Sequence, residues 1–319
     1  LLAAVMLGSV TAFADGEPVT PETTEPTEIA SRETEGSWDG DTYTDNQGIV
    51  YEWNENSITV TDTILGFQGG EITIPATIKK GWISYPVTGV GDNAFENCWQ
   101  LVSVTFSGNI DSIGDFAFQY CGALESVTFS GKVDSIGDAA FGFCDALENV
   151  TFSGNVGSIG DTAFVGCNAL ENVTFSGNID SIGDSAFFIC YQLNTVTFSG
   201  NVGSIRDHAF TDAALETVTF SGDVTSIGYA AFSNCSALEN VTFSGDVGSI
   251  GYGAFRNCTA LESVTFSGDV TSIGDYAFQY CTKLTTIYVP ASMSDKKIEM
   301  IETALNSSKL SGVKIERSA

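Results

Sequence analysis

The sequence predicts a solenoid, a fold in which short repeated units stack and share one continuous hydrophobic core. The dipeptide Ala-Phe recurs nine times from Phe95 to Phe278, always 23 residues apart except between Phe210 and Phe232, where the spacing is 22. The string VTFSG occurs eight times, first at position 104 and last at position 264. A single unit of this length cannot bury its own apolar face, so the units are expected to stack.

Each repeat carries apolar residues in two short segments. The repeat at positions 121–141 reads CGALESVTFSGKVDSIGDAAF, in which Val127 and Phe129 alternate with polar neighbours as in a β-strand. Val133 and Ile136 form a second apolar pair in a short extended segment. A Gly-Asp pair then turns the chain, and Ala-Phe opens a short helical turn that ends near Cys144. The prediction is an α/β solenoid of about nine 23-residue repeats, with short parallel strands, short helical turns and capping segments.

The flanking segments differ from the repeats in composition. Residues 1–14 are uncharged and end in Ala-Phe-Ala, which predicts a signal peptide that lacks its basic start and is cleaved before Asp15. Residues 15–37 are rich in Thr, Glu and Pro and predict a disordered spacer. Residues 38–85 are expected to form an N-terminal cap with a hairpin around positions 54–56, and residues 86–290 the repeat solenoid.

Residues 291–319 are expected to form a C-terminal cap, because an open solenoid end leaves its core and strand edges uncovered. Ile298, Ile301 and Leu305 share one face of a predicted helix, and Ser294 is placed to cap its N-terminus. Val313 and Ile315 are placed to add a last strand.

The repeat resembles a known family. The pattern C-x-x-L-x-x-V-x-F…V-x-x-I-G-x-x-A-F is similar to the BspA-like leucine-rich repeats of bacterial surface proteins, from about Glu71 to Pro290. The family usually places Pro after the last apolar residue of the strand, whereas this chain has Ser, as at Ser130. The resemblance implies a leucine-rich-repeat solenoid, a right-handed superhelix shaped as an arc or horseshoe. It also implies an extracellular role in adhesion or partner recognition, with neither catalytic residues nor a cofactor.

Charge and composition exclude several classes of function. The chain has 40 acidic and 12 basic residues, a net charge of −28, which disfavours nucleic acid and anionic membrane surfaces as partners. Outside the short N-terminal run there is no stretch of about 18 apolar residues, so we expect no membrane span. His208, the one histidine, lies in an irregular repeat beside Asp207, which is not a catalytic arrangement. We therefore expect no enzyme activity.

The eight cysteines occupy one column of the repeat. Neighbours in such a column lie about 4.8 Å apart, with parallel side chains whose Cβ atoms are too far apart for a relaxed disulfide. The sequence therefore predicts a ladder of buried free thiols, with disulfides and a metal site as the alternatives. Phenylalanine fills two further columns, nine residues in Ala-Phe and eight in VTFSG, and both are predicted to form core ladders.

Two surfaces are candidates for partner binding. The outward strand face carries a column of threonines, which is typical of a solvated sheet but also offers a regular face for a glycan or an extended peptide. The two residues after each Ala-Phe vary between repeats and are apolar in the middle ones, where they form an apolar patch if they are exposed; the alternative is that they tuck into the turn. The candidate residues are Thr128, Thr151, Thr174 and Thr197 on the strand face, and Phe143, Val165, Phe188 and Ile189 in the apolar patch.

These features lead to three hypotheses for function. The first is a secreted or cell-surface protein that mediates adhesion by binding a protein of a host or neighbouring cell. The second is a glycan-binding module, based on the threonine face and on Tyr229, Tyr252 and Tyr276. The third is a structural surface-coat protein. Columns of Glu and Asp beside these surfaces leave diffuse calcium binding open, but no dedicated calcium motif is present.

Overall fold

A computed structural model describes residues 36–63 and 69–318 of the chain. The predicted signal peptide and nearly all of the predicted spacer lie outside these residues. Within them the strands form two long sheets, one of 14 and one of 11 strands, which run side by side through the repeats.

The N-terminal strands form an antiparallel meander that continues into the repeats. The hairpin predicted around positions 54–56 is confirmed, because the strands Ile49–Asn54 and Ser57–Thr63 pair antiparallel across that turn. Ser57–Thr63 also pairs in parallel with Ile83–Val90, and Gly70–Ile74 pairs in parallel with Leu101–Phe106, so the meander adjoins both sheets. The strands are β1 Ser37–Asp39, β2 Thr42–Thr44, β3 Ile49–Asn54, β4 Ser57–Thr63, β5 Gly70–Ile74, β6 Thr77–Lys80 and β7 Ile83–Val90.

Each repeat supplies one strand to each sheet. The even-numbered strands contain Val-Thr-Phe and form the VTF sheet, and the odd-numbered strands end in Ser-Ile and form the SI sheet. The strands are β8 Leu101–Phe106, β9 Ile110–Ile113, β10 Ser126–Phe129, β11 Val133–Ile136, β12 Asn149–Phe152, β13 Val156–Ile159, β14 Asn172–Phe175, β15 Ile179–Ile182, β16 Thr195–Phe198, β17 Val202–Ile205, β18 Thr217–Phe220, β19 Val224–Ile227, β20 Asn240–Phe243, β21 Val247–Ile250, β22 Ser263–Phe266 and β23 Val270–Ile273.

The sheets are parallel and in register, so equivalent residues stack. Phe129 pairs with Phe152, and their ring centroids lie 4.9 Å apart with planes 2° from parallel. The Ala-Phe column stacks in the same way, as between Phe118 and Phe141, again at 4.9 Å. The two ladders meet edge to face, and their members are 0 to 1% exposed. The predicted phenylalanine ladders are confirmed, and each stacked pair contributes about 0.5–1.5 kcal/mol beyond its buried area.

Residues 137–147 join the SI strand of one repeat to the VTF strand of the next. This segment and its equivalents in the other repeats are here called the turn face. The sequence predicted a helical turn in it, but the structure has consecutive turns and no helix in this segment of the described repeats. Ala139 and Phe143 have φ of 49° and 58°, which ends any helix. In this conformation alternate backbone N–H groups donate to carbonyls of the next repeat, as from Phe141 to Ala163 at 2.7 Å. A helix would use those donors within itself, so stacking determines the local conformation.

The C-terminal cap consists of one strand, one helix and a last strand: β24 Thr286–Pro290, α1 Asp295–Ser307 and β25 Lys314–Ser318. Helix α1 buries Ile301 and Leu305 and half-buries Ile298, as predicted. Ser294 lies at the N-cap position, but its side chain makes no capping hydrogen bond.

The cap also replaces the hydrogen-bond acceptors that a further repeat would provide. The backbone N–H groups of Tyr276 and Phe278 donate to the side-chain oxygens of Ser307 and Ser308 at 3.0 and 3.1 Å. These donors would otherwise be left without partners at the end of the turn-face ladder. The strand β25 pairs in parallel with β24 and covers the edge of the VTF sheet.

Candidate functional site

The apolar patch lies on the turn face of the third to fifth repeats. The side chain of Phe143 is 36% exposed, whereas Val165, Phe188 and Ile189 are half-buried. The backbone N–H of Phe143 donates to the carbonyl of Val165 at 2.8 Å, so these turns are directly adjacent. Gly166 follows Val165, and a Cβ there would lie 2.7 Å from Cδ1 of Phe143, because the Phe143 ring extends across this glycine. The structure thus brings the predicted patch residues into neighbouring turns.

Tyr120 extends the apolar patch by one repeat, beyond the residues that the sequence predicted. Its ring stacks on Phe143 with centroids 5.4 Å apart and planes 13° from parallel, and Tyr120 is 45% exposed. Tyr120 occupies the same repeat position as Phe143, which is the signal by which it could have been found. The apolar surface therefore runs along the turn face from the second to the fifth repeat.

Ile189 is held in a backbone conformation that is unfavourable for its side chain. Its φ is 56°, in the left-handed region, and so are the φ values of the residues at the same position in the other repeats. Asn occupies this position at Asn97, Asn234 and Asn257, and Gly at Gly166, which are residue types that tolerate this region. A β-branched residue there is strained by about 1–3 kcal/mol. The sequence thus places a costly side chain in the apolar patch.

The threonine column forms an unbroken row on the VTF sheet, on a different face from the apolar patch. Thr128 pairs with Thr151, Thr151 with Thr174, and Thr174 with Thr197 in the parallel register. The first three are half-buried and Thr197 is exposed. In the adjacent column Nδ2 of Asn172 donates to Oδ1 of Asn149 at 3.1 Å, and Oγ of Ser263 donates to Oδ1 of Asn240 at 2.7 Å. This face is regular and polar, and part of its hydrogen-bonding capacity is used within the sheet.

The aspartate column of the turn face has a structural role, which was not predicted from the sequence. Oδ1 of Asp115 accepts a hydrogen bond from the backbone N–H of Asp138 in the next repeat at 2.8 Å, and Asp138 does the same for Asp161. Each carboxylate therefore satisfies a backbone donor one repeat further on. Such charge-assisted bonds to a carboxylate are among the stronger hydrogen bonds in proteins. Among the described residues, no group of three or more His, Cys, Asp or Glu side chains is arranged to hold a metal ion.

The cysteines form the predicted ladder of free thiols. Within the described residues seven are buried, and Cys98, at the N-terminal end of the ladder, is half-exposed. Sγ of Cys144 donates to the carbonyl of Phe118 at 3.2 Å, and equivalent bonds recur along the column. Burial raises the pKa of Cys98 to about 11 and that of Cys190 to about 12. A thiol with a raised pKa is a poor nucleophile at neutral pH, so this column is structural.

The irregular sixth repeat keeps its place in the stack. Val196 pairs with Val218 and Val202 with Val224, so both sheets continue through the one-residue deletion. Nδ1 of His208 lies 3.3 Å from Oγ1 of Thr211, a buried hydroxyl that donates to a backbone carbonyl. This histidine is therefore part of a local hydrogen-bond network, and it lies beside the ring of Tyr229.

Comparisons with known proteins identify the family of the chain. The family described as BspA type Leucine rich repeat region (6 copies) matches residues 88–214 and 203–318, which is more than half of the chain. The chain belongs to this family. The matching family is a repeat family, and no catalytic family is indicated. No curated protein sequence matches the chain at a significant level.

Several solved structures are similar to the chain. A leucine rich cell surface protein from Faecalibacterium prausnitzii A2-165 is 26% identical, with a TM-score of 0.50 over 89% of this chain and 95% of that one. A leucine-rich repeat protein from Bacteroides capillosus is 30% identical over 42% of this chain and 96% of its own, with a TM-score of 0.35. The pneumococcal vaccine antigen PcpA is 17% identical over 88% of this chain and 99% of its own, also with a TM-score of 0.35. In the described residues, no helix is long and apolar enough to cross a bilayer.

Proposed function

We propose that this chain is a secreted or cell-surface recognition protein that mediates adhesion by binding a protein partner through the apolar patch of its turn face. The observation that carries the proposal is the run of apolar side chains from Tyr120 to Ile189 at positions that are polar in most other repeats. An exposed apolar surface bordered by polar residues is typical of a protein interface. The proposed cellular location is supported by the Faecalibacterium relative, which is described as a cell surface protein.

The dimensions of the apolar patch fit the centre of an interface. Tyr120 and Ile189 are three repeats apart, which corresponds to about 14 Å along the stack at about 4.8 Å per repeat. A stable interface buries about 800 Å² on each partner, with a few aromatic residues at its centre and a polar rim. The patch provides the aromatic centre, and the polar turns on either side provide the rim.

The strained conformation of Ile189 supports the same proposal. Ile189 costs stability and does not lie in the core. Its presence is explained if its side chain is used for binding. Asn at this position, as in the seventh and eighth repeats, would relieve the strain but would remove the apolar contact.

The threonine face is the second candidate surface, and it would favour a glycan. The observation that supports a glycan site is the unbroken row of threonines from Thr128 to Thr197. We favour the apolar patch, because the threonine row recurs along all the repeats and is accounted for by cross-strand packing between threonines. A structural coat role would instead show itself as self-association without a partner.

The test is a binding screen of the purified protein against immobilised matrix proteins and polysaccharides, with and without calcium. We expect saturable binding to a protein, weakened at least tenfold in the variant Phe143→Asp/Phe188→Asp. The matched variant Thr128→Lys/Thr174→Lys, on the other face, is expected to bind like the original protein. Circular dichroism of both variants checks that the fold is kept. Binding lost only in the threonine variant, or no protein bound at all, would contradict the proposal.

A further inference from the structure

A groove runs along the turn face of the last four repeats, beyond the apolar patch. Its volume is about 440 Å³. Each of its two central turns begins with an exposed tyrosine, continues with a small buried residue and ends in polar side chains. These residues are Tyr229, Ala230, Ser233 and Asn234 in one turn, and Tyr252, Gly253, Arg256 and Asn257 in the next. The small residue between larger ones leaves the depression, which we call the tyrosine groove.

The tyrosines replace carboxylates at this one part of the turn face. The column that contains Tyr229 and Tyr252 is Asp in the seven other repeats. Arg256 is exposed in the turn that begins with Tyr252. It is one of four Lys or Arg residues between positions 86 and 290. The neighbouring Asp207 accepts a hydrogen bond from the backbone N–H of Tyr229 at 2.7 Å. The tyrosine groove therefore loses two negative charges and gains a positive one, on an otherwise acidic surface.

The aromatic side chains of the groove are already ordered by one another. Tyr229 and Tyr252 stack with centroids 5.6 Å apart, and Tyr276 packs edge-on against Tyr252 at 5.2 Å. His208 packs edge-on against the other side of Tyr229 at 5.1 Å. A ring held between two neighbours has lost its rotational freedom before a ligand arrives, so binding costs less entropy. The groove is a preorganised surface.

The stacking also indicates which class of ligand fits. Tyr229 and Tyr252 stack on each other, so one face of each ring is closed to a sugar ring. Each of the two side chains is still nearly half exposed, at 44% and 45%. Aromatic edges are electropositive and phenol hydroxyls donate hydrogen bonds, so both suit carbonyl and carboxylate oxygens. The combination of Tyr, Ser, Asn, Gly and Arg is also that of protein-binding surfaces such as antibody loops.

We infer that the tyrosine groove binds an extended peptide segment of a protein partner that carries acidic side chains. Arg256 binds a carboxylate of this segment, and the edges of Tyr229 and Tyr252 contact its backbone carbonyls. The groove spans about three repeat steps, about 14 Å, which is the length of about four extended residues. The inference rests on the proposed function in that the turn face recognises protein, but it uses different residues from the apolar patch.

The test measures fluorescence anisotropy with three labelled decapeptides of alternating Gly and Glu, Gly and Gln, or Gly and Lys. We expect the Glu peptide to bind at least tenfold more tightly than the Lys peptide. The variant Tyr229→Asp/Tyr252→Asp is expected to weaken the Glu peptide at least tenfold. This variant restores the residue that the column has elsewhere, so it keeps the fold. Arg256→Glu is expected to remove the preference for Glu over Lys.

The control and the contrary outcomes separate this inference from the proposed function. Phe143→Asp/Phe188→Asp is expected to bind the Glu peptide like the original protein, because the apolar patch is not used. Equal binding of the three peptides, no binding of any, or full binding by the tyrosine variant would overturn the inference. Binding of a short polygalacturonate without the Glu peptide would also overturn it, in favour of an anionic glycan. None of these outcomes contradicts the proposed function, because that function depends on Phe188 and the rest of the apolar patch rather than on the tyrosine groove.

Discussion

At the scale of single residues, each repeat position has a physical role that the stack assigns to it. The Phe columns fill the core, the Cys column donates to backbone carbonyls, and the Asp column accepts from backbone amides of the next repeat. Ala213 takes the Cys position in the sixth repeat and is buried there, so this column needs a small side chain rather than a thiol. Ile189, Tyr229 and Tyr252 depart from such roles, and binding is proposed at these positions.

Replacing Ile189 by Asn tests whether its strain is kept for binding. We expect Ile189→Asn to leave the free energy of unfolding unchanged or to raise it by about 1 kcal/mol, since Asn tolerates the left-handed region. The same change is expected to weaken partner binding several-fold, because it removes an apolar contact. Urea denaturation and the binding assay measure the two effects. The reverse change in the equivalent position, Asn257→Ile, is expected to destabilise the protein; a stabilising effect would contradict the strain argument.

At the scale of the elements, the turn face shows how stacking overrides local preference. Its two left-handed positions per repeat carry residues such as Phe116, Thr162 and Ser185, which have no local preference for that conformation. The conformation is fixed by hydrogen bonds to the next repeat, as from Thr162 to the carbonyl of Asp184 at 2.9 Å. Glycine stands just before the Asp column in eight of the nine repeats, where neighbouring repeats approach closely, and Arg206 takes this position in the sixth repeat.

Gly160→Ala tests this close approach. A Cβ at Gly160 would lie 2.6 Å from the backbone carbon of Gly137, and no side-chain rotation can relieve that contact. We expect the free energy of unfolding to fall by about 1–3 kcal/mol, as for overpacking of a core. Gly122→Ala is the matched control, since a Cβ there meets nothing within 4 Å, and we expect its effect to stay within about 0.5 kcal/mol. Equal effects of the two changes would show that the approach is not tight.

Which parts of this structure the sequence predicts depends on how local their cause is. The 23-residue period, the strands at Val127 and Val133, the thiol ladder and the cap helix follow from periodicity and are confirmed. The turn conformation could not be predicted, because it depends on hydrogen bonds between repeats at residues without a local signal. The tyrosine groove could be found only in part: the tyrosines were visible in the sequence, but the depression at Ala230 and Gly253 depends on which residues the turns bring side by side.

At the scale of the whole molecule, the described residues form one continuous stack with three kinds of surface. The VTF and SI sheets repeat with little change from one end to the other, while the turn face differs from repeat to repeat. A surface that recognises a particular partner must differ from its surroundings, and the turn face alone among the three described surfaces does so strongly. Many of the acidic side chains behind the net charge of −28 accept backbone hydrogen bonds along the stack, which accounts for part of this charge.

The central claim is that the turn face recognises protein, and hydrogen-exchange mass spectrometry of the protein with a partner from the screen tests it most directly. Exchange is compared between the free and the bound protein at each backbone segment. We predict that binding slows exchange in the turns at 116–122, 139–145, 162–168 and 185–191, which contain the apolar patch. Exchange in the VTF strands is predicted to stay unchanged. Slower exchange centred on those strands, with the turns unaffected, would contradict the claim and assign binding to the threonine face.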